Sequence, residues 1–165
     1  MRSKAYPIAL GGMLAAAAVV LMCIGTIIPI ATYTAPALCM MVGQVVLKIC
    51  GSRIAWAWYG VVAILGLLLA PDKEAAAVFV ALGCYPVVKP NLDRMKAPWL
   101  WKGLLFNGGI LLLYWILLHI VGMSQLMEEF SGLGMTMTAV LLLLGNVTFF
   151  LLDHLMSRKL KRKIR

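Results

Sequence analysis

Residues 51–74 read GSRIAWAWYGVVAILGLLLAPDKE. Arg53 precedes an unbroken apolar run from Ile54 to Ala70, and a short turn with charges of both signs follows it. A helix needs roughly 20 apolar residues to cross the hydrocarbon of a bilayer, and backbone polar groups in lipid must pair within the segment. The stretch therefore predicts a transmembrane helix. The aromatic residues behind Arg53 are predicted to form a belt at the membrane interface; they are Trp56, Trp58 and Tyr59.

Five further apolar runs surround this one. They are Ile8–Ile28, Ala35–Ile49, Ala75–Val88, Leu100–Val121 and Met135–Leu152. The 165 residues are 63% hydrophobic and 13% charged, whereas soluble domains are about half apolar and about a quarter charged. Six spans use almost the whole chain and leave no room for a soluble catalytic domain. We predict an all-α fold, a single domain over residues 1–165, built as a bundle of six transmembrane helices.

The Lys and Arg residues fall on one side of the membrane when consecutive runs cross it in alternating directions. Fourteen of the fifteen Lys and Arg residues then share a face, and the exception is Lys73, which lies between Asp72 and Glu74. Short loops rich in Lys and Arg stay cytoplasmic. Both termini are therefore predicted to be cytoplasmic, in a multi-pass protein of a bacterial inner or plasma membrane. The net charge of +9 is attributed to topology and to contact of the tail RKLKRKIR with anionic lipid, not to nucleic acid.

No catalytic or metal-binding pattern is present in the sequence. No acidic residue lies in the middle of a run, and HExxH, GxSxG and nucleotide-binding glycine motifs do not occur. Asp153 and His154 are adjacent, so on a helix their side chains point about 100° apart and cannot form a catalytic dyad. We predict that the protein is not an enzyme and needs no metal or other cofactor. The four cysteines show no CxxC spacing and are interpreted as packing residues, while a disulfide between Cys23 and Cys39 stays open.

Polar residues within the runs are few. Gln44, Asn107, Tyr114 and Asn146 either hydrogen-bond another helix or line a cavity. More polar groups lie toward the outer side, where a pocket closed by loops would suit a small polar solute. The predicted solute-binding residues are Tyr33, Thr34, Gln44, His119, Gln125 and Glu129.

Local signals predict how some helices begin and bend. Pro71, Asp72 and Glu74 are expected to provide the N-terminal cap and first-turn charge of the fourth helix. Pro86 is expected to kink this helix. Pro36 is expected in the first turn of the second helix.

Small residues form a stripe on the first helix. Gly11 and Ala15, like Gly12 and Ala16, are four residues apart, which makes a flat face on which another helix can lie closely. That helix could belong to this bundle or to a partner protein.

The layout resembles the substrate-binding S-components of energy-coupling factor (ECF) vitamin transporters. The likeness rests on the size, six spans with both ends inside, the stretch ALGGMLAAAA at residues 9–18, the turn at Ile28-Pro29 and a second helix that ends in Gly51. It implies a small vitamin-like solute held near the outer face, a transmembrane coupling subunit and separate ATPase subunits. The coupling subunit would contact Gly11, Gly12, Ala15 and Ala16, with glycine in the leading place here. A metal-type member would present an N-terminal His, and this chain starts Met-Arg-Ser.

An alternative of another class is a non-transporting membrane scaffold or assembly protein. The rod-shape protein MreD is similar in size and span count. Such a protein would hold partners with its cytoplasmic loops and helix faces, and it would need no outer pocket.

Overall fold

A computed structural model describes residues 5–25, 31–116, 139–140 and 142–157. These residues are almost entirely helical, and no strand occurs among them. The helices are α1 (Ala5–Gly25), α2 (Ala31–Cys50), α3 (Ser52–Leu69), α4 (Lys73–Leu82), α5 (Tyr85–Leu92), α6 (Pro98–Ile116) and α7 (Leu142–Ser157). Within this part of the chain, five segments are long and apolar enough to cross a membrane: α1, α2, α3, the pair α4–α5 and α6. The predicted all-α class is confirmed, and the helices fit a multi-pass membrane protein.

The chain divides into two compact units, Met1–Pro98 and Trp99–Arg165. The first unit contains α1 to α5. The second contains α6 and α7.

Helices α1 to α4 alternate in direction, as expected of consecutive spans. Gly11 lies against Ile54 near the starts of α1 and α3, and Met22 lies against Gly66 near their ends, so these two helices are parallel. Gly43 of α2 packs on Trp58 of α3, on either side of the turn that joins them. Helix α2 is therefore antiparallel to α3.

Helix α4 returns along α3 in the same way. The Tyr59 hydroxyl donates to the carbonyl of Val80, and Ala76 lies near Gly66. One end of the first unit thus brings together the start of α2, the end of α3 and the start of α4. We call it the Tyr33 end, and the opposite end, where α3 begins, the Arg53 end.

The turn between α2 and α3 consists of one residue, Gly51. Its backbone has φ 88° and ψ 171°, a region that is essentially restricted to glycine. Its N–H donates to Leu47 O at 3.1 Å, and its carbonyl accepts from Ala55 N at 3.0 Å. The reversal of the chain therefore depends on a residue without a Cβ.

Replacement of Gly51 by alanine is expected to lower the free energy of unfolding by about 1–2 kcal/mol, because alanine is strained in this conformation. The matched control is Gly60→Ala in α3, where an added Cβ meets nothing within 4 Å. Equilibrium unfolding in mixed micelles measures both variants. Equal stability of the two would contradict the strained turn.

The fourth predicted span is broken into two helices. Helix α4 ends at Leu82 and α5 begins at Tyr85, with Pro86 in its first turn. The expected kink at Pro86 is thus a full interruption, since proline favours the start of a new helix. Helix α2 also differs: it begins at Ala31, so Pro36 lies inside the helix and not in its first turn.

The core of the first unit is aromatic. Phe79 of α4 is completely buried and meets Trp58 of α3 edge to face, with ring centroids 6.2 Å apart. Tyr59 lies 6.0 Å from the same ring. The predicted interfacial belt is wrong for Trp58, which is 4% exposed and turned toward Gly43 of α2. Trp56, 47% exposed, has the orientation that the belt predicted.

Helices α6 and α7 form an antiparallel pair in the second unit. Phe106 and Phe149 stack with centroids 4.7 Å apart. The side-chain amides of Asn107 and Asn146 exchange two hydrogen bonds of 2.9 Å. For these two residues the alternative of a bond between helices is confirmed.

Candidate functional site

A tyrosine and a carboxylate meet at the Tyr33 end of the first unit. The hydroxyl of Tyr33 donates a hydrogen bond of 2.9 Å to Oε1 of Glu74. The two residues lie 41 positions apart in sequence and are joined because the first turns of α2 and α4 come together. Tyr33 is 58% exposed and Glu74 is half-buried, so an aromatic ring lies on the surface beside a partly accessible carboxylate.

Asp72 fixes the direction of α4 and so the place of Glu74. Its Oδ1 accepts a hydrogen bond of 3.0 Å from Ala75 N, which makes it the N-cap of the helix. Glu74 follows in the first turn, where the helix dipole favours a negative charge. The predicted capping by Asp72 and the predicted first-turn charge of Glu74 are both confirmed.

Lys73 is directed toward α3. Its ammonium donates to the carbonyls of Leu67 at 2.8 Å and Leu68 at 3.4 Å, near the C-terminus of that helix. A cation at this position satisfies carbonyls that have no partner within the helix. The three charged residues of this turn thus contact different elements: Lys73 binds α3, Asp72 caps α4 and Glu74 accepts from Tyr33 of α2.

The arrangement suits recognition of a cation or an N–H donor. A carboxylate forms charge-assisted hydrogen bonds, which are stronger than neutral ones. An exposed tyrosine ring can stack on a flat solute or face a positive charge.

The structure places the other predicted binding residues differently. Thr34 is exposed beside Tyr33. Gln44 is 5% exposed and lies eleven residues further along α2, which is about 16 Å at the helical rise. Tyr33 is thus brought together with Glu74, Thr34 is its exposed neighbour on α2, and Gln44 belongs to the interior. His119, Gln125 and Glu129 lie outside the described residues.

The small-residue stripe of α1 divides between two faces. Gly11 and Ala15 are buried, and a Cβ on Gly11 would lie 3.2 Å from Cγ2 of Ile54. Gly12 and Ala16 are exposed, and a Cβ on Gly12 would meet nothing within 4 Å. One half of the stripe packs inside the first unit, and the other half is available to lipid or a partner.

Two buried lysines were not foreseen, because both were assigned to cytoplasmic loops. Lys89 is 1% exposed; its ammonium lies 3.8 Å from Oδ2 of Asp93 and 5.9 Å from the centre of the Tyr85 ring. Lys102 is 7% exposed and forms an ion pair of 3.0 Å with Asp153. The i,i+4 spacing of Lys89 and Asp93 was a usable signal. For Lys102 and Asp153, the only signal in the sequence was that residues of opposite charge lie in or next to the last two apolar runs.

None of the four cysteines, all of which lie in the described part of the chain, forms a disulfide. Cys39 Sγ lies 3.4 Å from the carbonyl of Ala18, and Cys23 Sγ lies 3.9 Å from that of Leu69. Cys23 and Cys39 therefore contact different neighbours. Across the described part of the chain, no three His, Cys, Asp or Glu side chains are grouped as metal ligands.

No protein-family model, curated protein or solved structure matches this chain.

Proposed function

We propose that the protein is a membrane-embedded subunit that binds a small, vitamin-like solute for uptake by an ECF-type transporter. The observation that carries the proposal is the hydrogen-bonded pair of exposed Tyr33 and half-buried Glu74, held across two apolar helices at one end of the first unit. A polar pair at the end of such helices gives a solute both hydrogen bonds and an aromatic surface next to the bilayer.

The charges of the first unit support an outward-facing Tyr33 end. Its turn carries Asp72, Lys73 and Glu74, with a net charge of −1, whereas Lys48 and Arg53 lie near the Arg53 end. The positive-inside rule then directs the Arg53 end to the cytosol. The proposal includes six spans, both termini in the cytosol of a bacterial cell, and a coupling subunit with separate ATPases as partners.

Loss of the Tyr33–Glu74 pair is expected to weaken solute binding and leave the fold intact. Glu74→Gln should reduce affinity by about tenfold, since a hydrogen bond to a charged group contributes roughly 1.5–3 kcal/mol. Tyr33→Phe should reduce it by about fivefold, because one neutral hydrogen bond contributes about 1 kcal/mol. The matched control is Tyr6→Phe, since Tyr6 is 52% exposed on α1 near the opposite end.

Native mass spectrometry of gently extracted protein would first identify a copurified solute. If none is found, a panel of water-soluble vitamins is screened by the rise in melting temperature that a ligand of the native state causes. His119→Ala and Glu129→Gln are measured beside the pair, because both residues are predicted to bind the solute. Unchanged affinity in all four variants would remove the site assignment, and the absence of any bound or stabilising solute would count against the function.

The dense interior of the first unit favours the scaffold as a second candidate. Five large side chains of this interior are each less than 2% exposed; they are Met22, Val46, Val62, Phe79 and Tyr85. A scaffold would capture a membrane partner without any solute, and solute-independent capture with no thermal shift would support it.

A further inference from the structure

The faces that α6 and α7 turn to each other carry four polar side chains in two pairs. Lys102 Nζ lies 3.0 Å from Oδ2 of Asp153, and the two side chains are 9% and 14% exposed. Asn107 and Asn146 exchange two hydrogen bonds of 2.9 Å further along the pair. Ionisable and amide groups within apolar helices are costly unless they are paired.

The amide pair uses both N–H donors of each asparagine. Asn107 Nδ2 also donates to Gly103 O at 2.8 Å, and Asn146 Nδ2 donates to Leu142 O at 2.9 Å. Each amide therefore binds its own helix and the other helix at once. Such a network has its full value only when both helices are in the correct register, because a partly satisfied buried network is destabilising.

Both pairs require the same antiparallel register. Asn107 lies five positions after Lys102 on α6, and Asp153 lies seven positions after Asn146 on α7. The stacked rings of Phe106 and Phe149 lie between them, and Gly145 of α7 faces the Phe106 ring. Sliding α7 by one turn, about 5.4 Å, would separate all four polar groups from their partners.

We propose that Lys102, Asn107, Asn146 and Asp153 form a polar clasp that fixes α7 against α6 in a single register. Asp153 is the acid of α7, and within the clasp Lys102 is its counter-ion. The clasp is a conformational device of the second unit and does not depend on the identity or existence of a solute.

The first test exchanges the charges. Lys102→Asp and Asp153→Lys alone each place like charges together and should lower the melting temperature in detergent by about 4 °C or more. The double exchange should recover at least half of that loss. The matched control is Thr148→Val, because this exposed hydroxyl on α7 bonds Leu144 O of its own helix and should not change stability when removed. A double exchange whose loss equals the sum of the two single losses would overturn the ion pair as half of the clasp.

The second test measures register directly by disulfide formation. The background for this test is a variant in which the four native cysteines are replaced by alanine. In it, Asn107→Cys with Asn146→Cys should crosslink at least about threefold more than Asn107→Cys with Phe150→Cys. The expected ratio corresponds to the ~0.6 kcal/mol or more that polar pairs between membrane helices contribute. The preference for the first cysteine pair should fall when Lys102→Leu and Asp153→Leu are introduced together. This double variant buries no unpaired charge and so should still fold. The preference should persist with Thr148→Val. Equal crosslinking of both cysteine pairs, or an unchanged preference without the ion pair, would refute the single register.

Discussion

Phe79→Ala is expected to be among the most damaging substitutions in the first unit. Phe79 is completely buried on α4 and contacts the rings of Trp58 and Tyr59 from α3. Between helices in lipid, apolar transfer contributes little, because the lipid tails are as apolar as the side chains. The main cost of the substitution is therefore the loss of packing contacts around the void that it leaves. A void of roughly 100 Å3 lowers the free energy of unfolding by about 2–3 kcal/mol, at the cost per unit volume found for cavities in protein cores.

The damage should extend to the candidate site. Helix α4 carries Glu74 one and a half turns before Phe79, so a loosened α4 no longer holds the carboxylate against Tyr33. We expect a lower free energy of unfolding in mixed micelles together with weaker solute binding. The control is Leu68→Ala on α3, because Leu68 is 70% exposed and its truncation opens no void. Equal stability of the two variants would show that the Phe79 cluster does not hold α3 and α4 together.

The helices themselves were predictable because their signal is local. Length, hydropathy and the positions of proline and glycine lie within each segment, and α1, α3 and α6 match their predicted runs within a few residues at the described ends. Asp72 is a further local signal, since an N-cap binds an N–H only three residues away.

The side chains that join helices were not predictable in the same way. Trp58 and Trp56 are two residues apart, so one faces inward and the other outward, and the positions of α2 and α4 decide which is buried. Glu74 and Tyr33 meet across 41 residues, and Lys102 and Asp153 across 51. Such pairs depend on helix register, which hydropathy does not encode, so the sequence pointed to Tyr33 but not to Glu74 as its hydrogen-bond partner.

The two halves of the α1 stripe give the sharpest test of a partner. Ala15 is 5% exposed and belongs to the face that packs inside the first unit, whereas its neighbour Ala16 is exposed. Ala15→Leu adds three carbon atoms to a closely packed interface and should cost about 3 kcal/mol of stability. Ala16→Leu adds the same atoms to an open face and should leave the melting temperature unchanged.

If a coupling subunit binds α1, Ala16→Leu should reduce its capture by at least about tenfold, because close approach of helix backbones requires small residues at the contact. Solute binding should remain at the wild-type level, since Ala16 lies on α1 and the Tyr33–Glu74 pair on α2 and α4. Pull-down of the coupling subunit and a solute-dependent thermal shift are measured on the same preparation. Intact capture with Ala16→Leu would mean that the exposed half of the stripe faces lipid alone. Unchanged stability with Ala15→Leu would mean instead that the buried half is not closely packed.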